Sequence, residues 1–128
     1  MAEQPTQATV DYDRLLRANL ERVFNERDDG KRDAAIGEIF TEDAIMYEPG
    51  GPVAGREAIS RVAAQLLRQF GPQFRFVPEG PGVGHHGIGT LRWSAGAIGG
   101  PVVVRGFDTA EVVNGRIARL WVLIEREG

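Results

Sequence analysis

The sequence has no cysteine, which excludes disulfides, thiolate metal sites and a cysteine nucleophile. Histidine is scarce, occurring only as the adjacent His85 and His86. Neighbours on a strand point to opposite faces, so this pair reads as a surface feature and not as a metal site. No apolar run approaches the ~20 residues of a membrane-spanning helix. The opening MAEQPTQATV has neither the basic start nor the apolar stretch of a secretory signal. An excess of positive charge is also missing: 15 Lys+Arg stand against 18 Asp+Glu, a net charge of −3, which argues against a nucleic-acid partner. The glycines at 80, 82, 84, 87 and 89 are followed by no Gly-Lys-Ser/Thr and close on no helix, so they are turn chemistry and not a phosphate loop. No serine sits on a nucleophile elbow. These absences point to a soluble, cytoplasmic protein that works without metal, nucleotide or other cofactor. They leave neither nucleic acid nor membrane as a partner.

What is present is enough for one domain. A chain of 128 residues buries about two-thirds of its unfolded surface and needs no staples. Residues 1–10 read as a loose tail and residues 11–125 as the domain. Tyr12, Leu15, Leu16, Asn19, Leu20, Val23 and Phe24 recur at helical spacing and predict a first helix. The charged run from Glu26 to Arg32 reads as a solvated turn, after which Asp33 can cap a short helix presenting Ile36, Ile39 and Phe40. A third helix is predicted over about 56–70, where Ile59, Val62, Ala63, Leu66, Leu67 and Phe70 share a face. Ala44–Glu48 reads as a short strand stopped by Pro49-Gly50-Gly51-Pro52, and 73–77, 90–94 and 102–113 alternate as strands do. Helices first and a strand meander last predict an α+β domain, with helices on one face of a mainly antiparallel sheet.

Asn114-Gly115 between Val113 and Arg116 is a two-residue hairpin signal. Carried up both strands without interruption, that register places Arg105, Phe107, Thr109 and Glu111 opposite Ile124, Val122, Leu120 and Ala118 on one face. The other face then holds Val104, Asp108, Ala110 and Val112 with Ile117, Arg119, Trp121 and Glu125. Both faces are rich in apolar side chains. An apolar patch of Val104, Val112, Ile117, Trp121 and Leu123, which the helices cannot also cover, predicts a homodimer.

Three polar residues fall where a core is expected. Asn19 interrupts the stripe of the first helix, Glu48 ends a hydrophobic strand, and Arg105 shares a face with Phe107, Val122 and Ile124. A hydrogen-bonded core amide, a solvated strand-end carboxylate and a snorkelling arginine are the structural explanations. Together the three also suit a polar-tipped end of an apolar pocket, the usual form of a small-molecule site.

Phe40-Thr41-Glu42-Asp43-Ala44, Tyr47-Glu48-Pro49, Gly55-Arg56-Glu57-Ala58-Ile59, Gly106-Phe107-Asp108 and Asn114-Gly115-Arg116-Ile117 resemble the SnoaL-like branch of the nuclear transport factor 2-like superfamily. The resemblance implies a cone, in which a strongly curved sheet wraps around about three N-terminal helices and encloses a deep apolar pocket. It also implies dimers formed through the outer sheet face. Within the superfamily, the ketosteroid-isomerase branch has its base where Glu48 stands, its protonated acid at Arg105, and its tyrosine donor near Leu20, with Asn19 the nearest polar group. The limonene epoxide hydrolase branch needs an Arg/Asp pair and a second aspartate. Arg92 matches the arginine, whereas Ser94 and Val122 occupy the aspartate positions. For SnoaL-like polyketide cyclases one acid/base carboxylate suffices.

The reading that follows is an isomerase, cyclase or lyase acting on an apolar small molecule. Glu48 removes a proton next to a carbonyl, and Arg105 stabilises the oxyanion or holds a substrate carboxylate. Asn19, Met46, Trp93, Phe107, Leu120 and Val122 contact the substrate. The alternatives are a non-catalytic binder of an apolar ligand, in which Glu48 and Arg105 neutralise each other, and a protein-interaction module.

Overall fold

A computed structural model describes residues 9–125. The expected tail at 1–10 lies outside the described residues except for Thr9 and Val10, and Val10 packs against the core. Helix α1 (Tyr12–Asn19) starts at an Asp11 cap whose carboxylate accepts from the Arg14 N–H at 3.0 Å, and it runs on into a π-helical stretch, Leu20–Phe24. Its stripe is the predicted one, and Leu16, Asn19, Leu20, Val23 and Phe24 are all buried.

The second helix departs from expectation. α2 (Asp29–Ile39) begins five residues early, because Asp28 and not Asp33 supplies the cap, accepting from the Lys31 N–H at 2.8 Å. Asp33 instead accepts from Ser60 Oγ at 2.5 Å. Residues 27–31 of the charged run are exposed as expected, but the run turns only over 26–28 and its last member leaves solvent. Arg32 is fully inside, bonded to Ser60 Oγ, the Glu26 carbonyl and Asp29, which joins α2 to α3 (Arg56–Phe70). A helical pattern reports apolar positions, so a buried, fully paired arginine escapes it.

The strands are β1 (Phe40–Glu48), β2 (Gly51–Ala54), β3 (Phe74–Pro78), β4 (Val83–His85), β5 (Ile88–Ala97), β6 (Val102–Val113) and β7 (Arg116–Ile124). They form one curved, unclosed sheet in the order β2-β1-β7-β6-β5-β3, with β4 on β5, and only the β1–β7 pair is parallel. Pro52 is tolerated within β2 because that strand lies at the sheet edge. His85 and His86 do not point to opposite faces: His86 sits in the β4–β5 turn at φ 49°, and the two rings meet edge-on at 5.1 Å.

The β6–β7 hairpin corrects the predicted faces. Asn114-Gly115 makes the expected turn, with φ of 52° and 78°, and pairs Val113 with Arg116 and Val112 with Ile117. A bulge then leaves Ala118 unpaired, so Glu111 meets Arg119, Ala110 meets Leu120 and Asp108 meets Val122. One extra residue in β7 moves every later residue of that strand to the opposite face. Val104, Asp108, Ala110 and Val112 thus face inward with Leu120 and Val122, whereas Arg105, Phe107, Thr109 and Glu111 face outward with Arg119, Trp121 and Leu123. Of the residues expected to share an outer apolar patch, Val104, Val112 and Ile117 belong inside. Trp121 and Leu123 remain outside, and Tyr47 stacks on Trp121 with ring centroids 5.2 Å apart.

Candidate active site

The concave side of the sheet, closed by the first and third helices, encloses a cavity of about 340 Å³. Leu20 and Phe24 enter it from the π-helical stretch, Leu66 and Phe70 from α3, Phe74 and Phe76 from β3, and Trp93 from β5. Val103, Val104 and Asp108 come from β6, Val122 and Ile124 from β7, and Glu48 from the end of β1. The aromatic wall is continuous: Phe70 stacks on Phe74 at 4.5 Å, Phe74 meets Phe76 at 5.4 Å, and Phe76 meets both Phe24 and Trp93 edge-on. Among the described residues that line the cavity, only Glu48 and Asp108 are ionisable.

The topology brings these two carboxylates together. Met46 lies level with Leu120 in the parallel β1–β7 pair, and strand periodicity puts Glu48 on the same face, beside Val122. Asp108 pairs with Val122 from the other side. The two acids therefore flank one apolar residue, their backbones about two strand spacings, or roughly 10 Å, apart. Side chains reaching inward from such positions leave room for a small polar group between them.

Their environments differ. Glu48 is half-buried, and burial pushes its carboxyl above the ordinary value. Asp108 is fully buried, and burial pushes it up to about 7. The Trp93 indole holds it back by donating to Asp108 Oδ1 at 2.9 Å, while the charge of Glu48 raises it further. The Asn19 amide also favours its ionised form, although neither polar atom of Asn19 completes a hydrogen bond. Ionising one acid thus opposes ionisation of the other, and the two carboxyls titrate as a coupled pair.

The residues proposed from sequence divide clearly. Glu48, Trp93 and Val122 line the cavity. Asn19, Met46 and Leu120 are completely buried and are not among its lining residues. Arg105 and Phe107 do not reach it: they alternate with the cavity-facing Val104 and Asp108 of β6 and so lie on the outer face, where Arg105 stands opposite Ser94 and near Glu125. The acid on the cavity side of β6 is Asp108, which the sequence reading placed on the opposite face. The available signal was a lone carboxylate in the small, apolar row Val104, Gly106, Ala110, Val112. A row of that kind fits a buried face better than a wet one.

Residues 16–120 match the family model of the SnoaL-like domain. A SnoaL-like protein from Agrobacterium tumefaciens with a provisional isomerase assignment superposes with a TM-score of 0.83 at 22% identity, covering 91% of this chain and 98% of that one. A protein from Sinorhizobium meliloti, provisionally a polyketide cyclase, gives 0.67 at 18% identity, covering 85% and 93%. One from Kribbella flavida, provisionally a ketosteroid isomerase, gives 0.70 at 16% identity, covering 94% and 82%. At these identities the likeness shows the fold alone. No curated protein matches the sequence.

Proposed function

The chain belongs to the SnoaL-like family, and from that premise we propose that it is an isomerase, cyclase or lyase that enolises an apolar carbonyl compound. The observation that carries this reading is the pair of carboxylates with unlike environments in one apolar cavity. Separating the titrations of two acids is how one site supplies both a base and a hydrogen-bond donor.

Glu48, the more exposed of the two, is the base. Its carboxylate takes a proton from the carbon next to the substrate carbonyl, and the C–H electron pair moves into the enolate. Asp108, neutral up to about pH 7, donates its O–H to the oxygen on which charge develops. At its buried position in an aromatic-walled cavity such a donor stabilises that charge more than it would in water. Returning the proton from Glu48 to a different carbon isomerises the substrate. Attack of the enolate on a second carbonyl closes a ring, and expulsion of a leaving group gives elimination. The oxyanion role first assigned to Arg105 passes to Asp108, and no cation among the described lining residues would hold a substrate carboxylate.

Hydrogen–deuterium exchange at the α carbon of a neutral cyclic enone, followed by NMR, tests the chemistry without the natural substrate. Exchange that Glu48→Gln abolishes while leaving enone binding intact supports the reading. Binding without catalysed exchange in the unaltered protein would leave a ligand-binding protein. We also infer that two copies pair through the outer sheet face, where Tyr47, Phe107, Trp121 and Leu123 lie between the Arg92–Glu125 and Arg119–Glu111 ion pairs. Leu123 there is 49% exposed in the single chain.

A further inference from the structure

Trp93 stands directly opposite Gly106 in the β5–β6 pair. A Cβ on Gly106 would come within 2.7 Å of Trp93 Cζ2 and 3.0 Å of Cη2. The indole therefore lies across bare backbone, in space that any other residue at 106 would fill. From that seat its Nε1–H reaches Asp108 Oδ1, one step diagonally along β6, at 2.9 Å. Both side chains are 3% exposed, so no bulk water competes for the bond.

An indole nitrogen donates and cannot accept. Oδ1 is thus the accepting oxygen whether Asp108 is neutral or ionised, and because a carbonyl oxygen accepts better than a hydroxyl, the bond favours the proton of the neutral acid on Oδ2. Building on the reading of Asp108 as the oxyanion donor, we propose that Trp93, seated on Gly106, is the positioning residue that fixes the orientation of Asp108 and assigns its proton to Oδ2. Without that constraint the carboxyl could rotate and carry its proton on either oxygen, so only part of the population would present the donor to substrate. The bond also favours the carboxylate over the acid.

A tryptophan that merely filled space would affect Asp108 in the opposite direction. Removing it would admit water and let the acid ionise more easily. Removing a specific donor makes ionisation harder. The sign of the change therefore separates the two roles.

The protein contains two tryptophans, and Trp121, stacked on Tyr47 outside the cavity, serves as an internal reference. In the unaltered protein, the indole N–H resonance of Trp93 is expected to shift with an inflection near pH 7, while that of Trp121 does not. The inflection should vanish in Asp108→Asn. In Trp93→Phe, carboxyl-detected NMR should find the Asp108 titration moved up by about one pH unit. Wherever enone exchange is measurable, this variant should lower kcat more than it raises KM. A Trp93 indole resonance that stays flat while Asp108 titrates, or a downward shift in Trp93→Phe, would overturn the proposal. If Trp93→Phe does not fold, the indole titration of the unaltered protein decides alone. Neither NMR titration involves a substrate. Glu48-dependent exchange alongside a flat indole titration would remove the positioning role and leave the enolisation reading intact, and absent exchange alongside a titrating indole would do the reverse.

Discussion

Asp108→Asn is expected to stabilise the protein at neutral pH, against the usual effect of altering a buried polar residue. Folding raises the Asp108 carboxyl from its ordinary 3.8 to about 7. Below about pH 4 the acid is protonated in both the folded and unfolded chains and contributes no pH dependence. Between about pH 4 and pH 7 the unfolded chain gives up its proton while the folded chain keeps it, and the folded state loses about 1.4 kcal/mol per pH unit. Above about pH 7 both forms are ionised, and the loss levels off at about 4 kcal/mol. Asparagine cannot ionise, nearly matches the shape, and can still accept from Trp93 through Oδ1 while presenting an N–H where the acid proton sat. The assay is urea unfolding of both proteins between about pH 4 and pH 8. Asp13 and Glu125, whose carboxyls are held below their ordinary values by Gly82 and by Arg92 respectively, lose stability as pH falls in both proteins alike, and so cancel in the difference. The stability of Asp108→Asn relative to the unaltered protein should rise by a few kcal/mol from the acid end to pH 8. A difference that stays constant across that range would refute the argument, because Asp108 would then not titrate there.

Glu48→Gln should cut enone exchange by at least about 100-fold, the lower end of what a general base contributes, with enone affinity unchanged by isothermal titration. The pH profile of exchange in the unaltered protein should climb as Glu48 ionises, with an ascending limb above its ordinary 4.5, and fall as Asp108 loses its proton near 7. Asp108→Asn should keep the ascending limb and lose the descending one. Light scattering should give about twice the 14.0 kDa chain mass, and Trp121→Glu should return it to a single chain, since it places a charge in the centre of the outer apolar patch. Gly106→Ala should lower stability by about 1–3 kcal/mol or more in thermal or urea unfolding, because the new Cβ would lie 2.4 Å from the Leu123 carbonyl oxygen, a backbone atom that cannot swing aside.

Local patterns in the sequence were sufficient for much of the architecture. Apolar spacing marked α1 and α3, alternation marked β3, β5 and β6, Asn114-Gly115 located the β6–β7 turn, and the helices-then-strands order implied the α+β class. Glu48 could be singled out because a carboxylate ending a hydrophobic strand is conspicuous in the chain itself. These signals arise from neighbours within a few positions, where backbone geometry dictates which side chains share a face. What the chain could not reveal depends on residues distant in sequence. Arg32 became a core residue only because Ser60 of another helix and the Glu26 carbonyl complete its hydrogen bonds. The bulge at Ala118 depends on how β7 fits between β1 and β6. With period-two alternation, that single unpaired residue moves Leu120 and Val122 of β7 onto the face of Asp108 and leaves Arg105 and Phe107 on the other. The chemistry followed from it: an aspartate read as surface became, once buried between Trp93 and Asn19 and two strands from Glu48, an acid that keeps its proton until about pH 7. Desolvation and charge coupling are properties of the assembled cavity, and no single strand carries them.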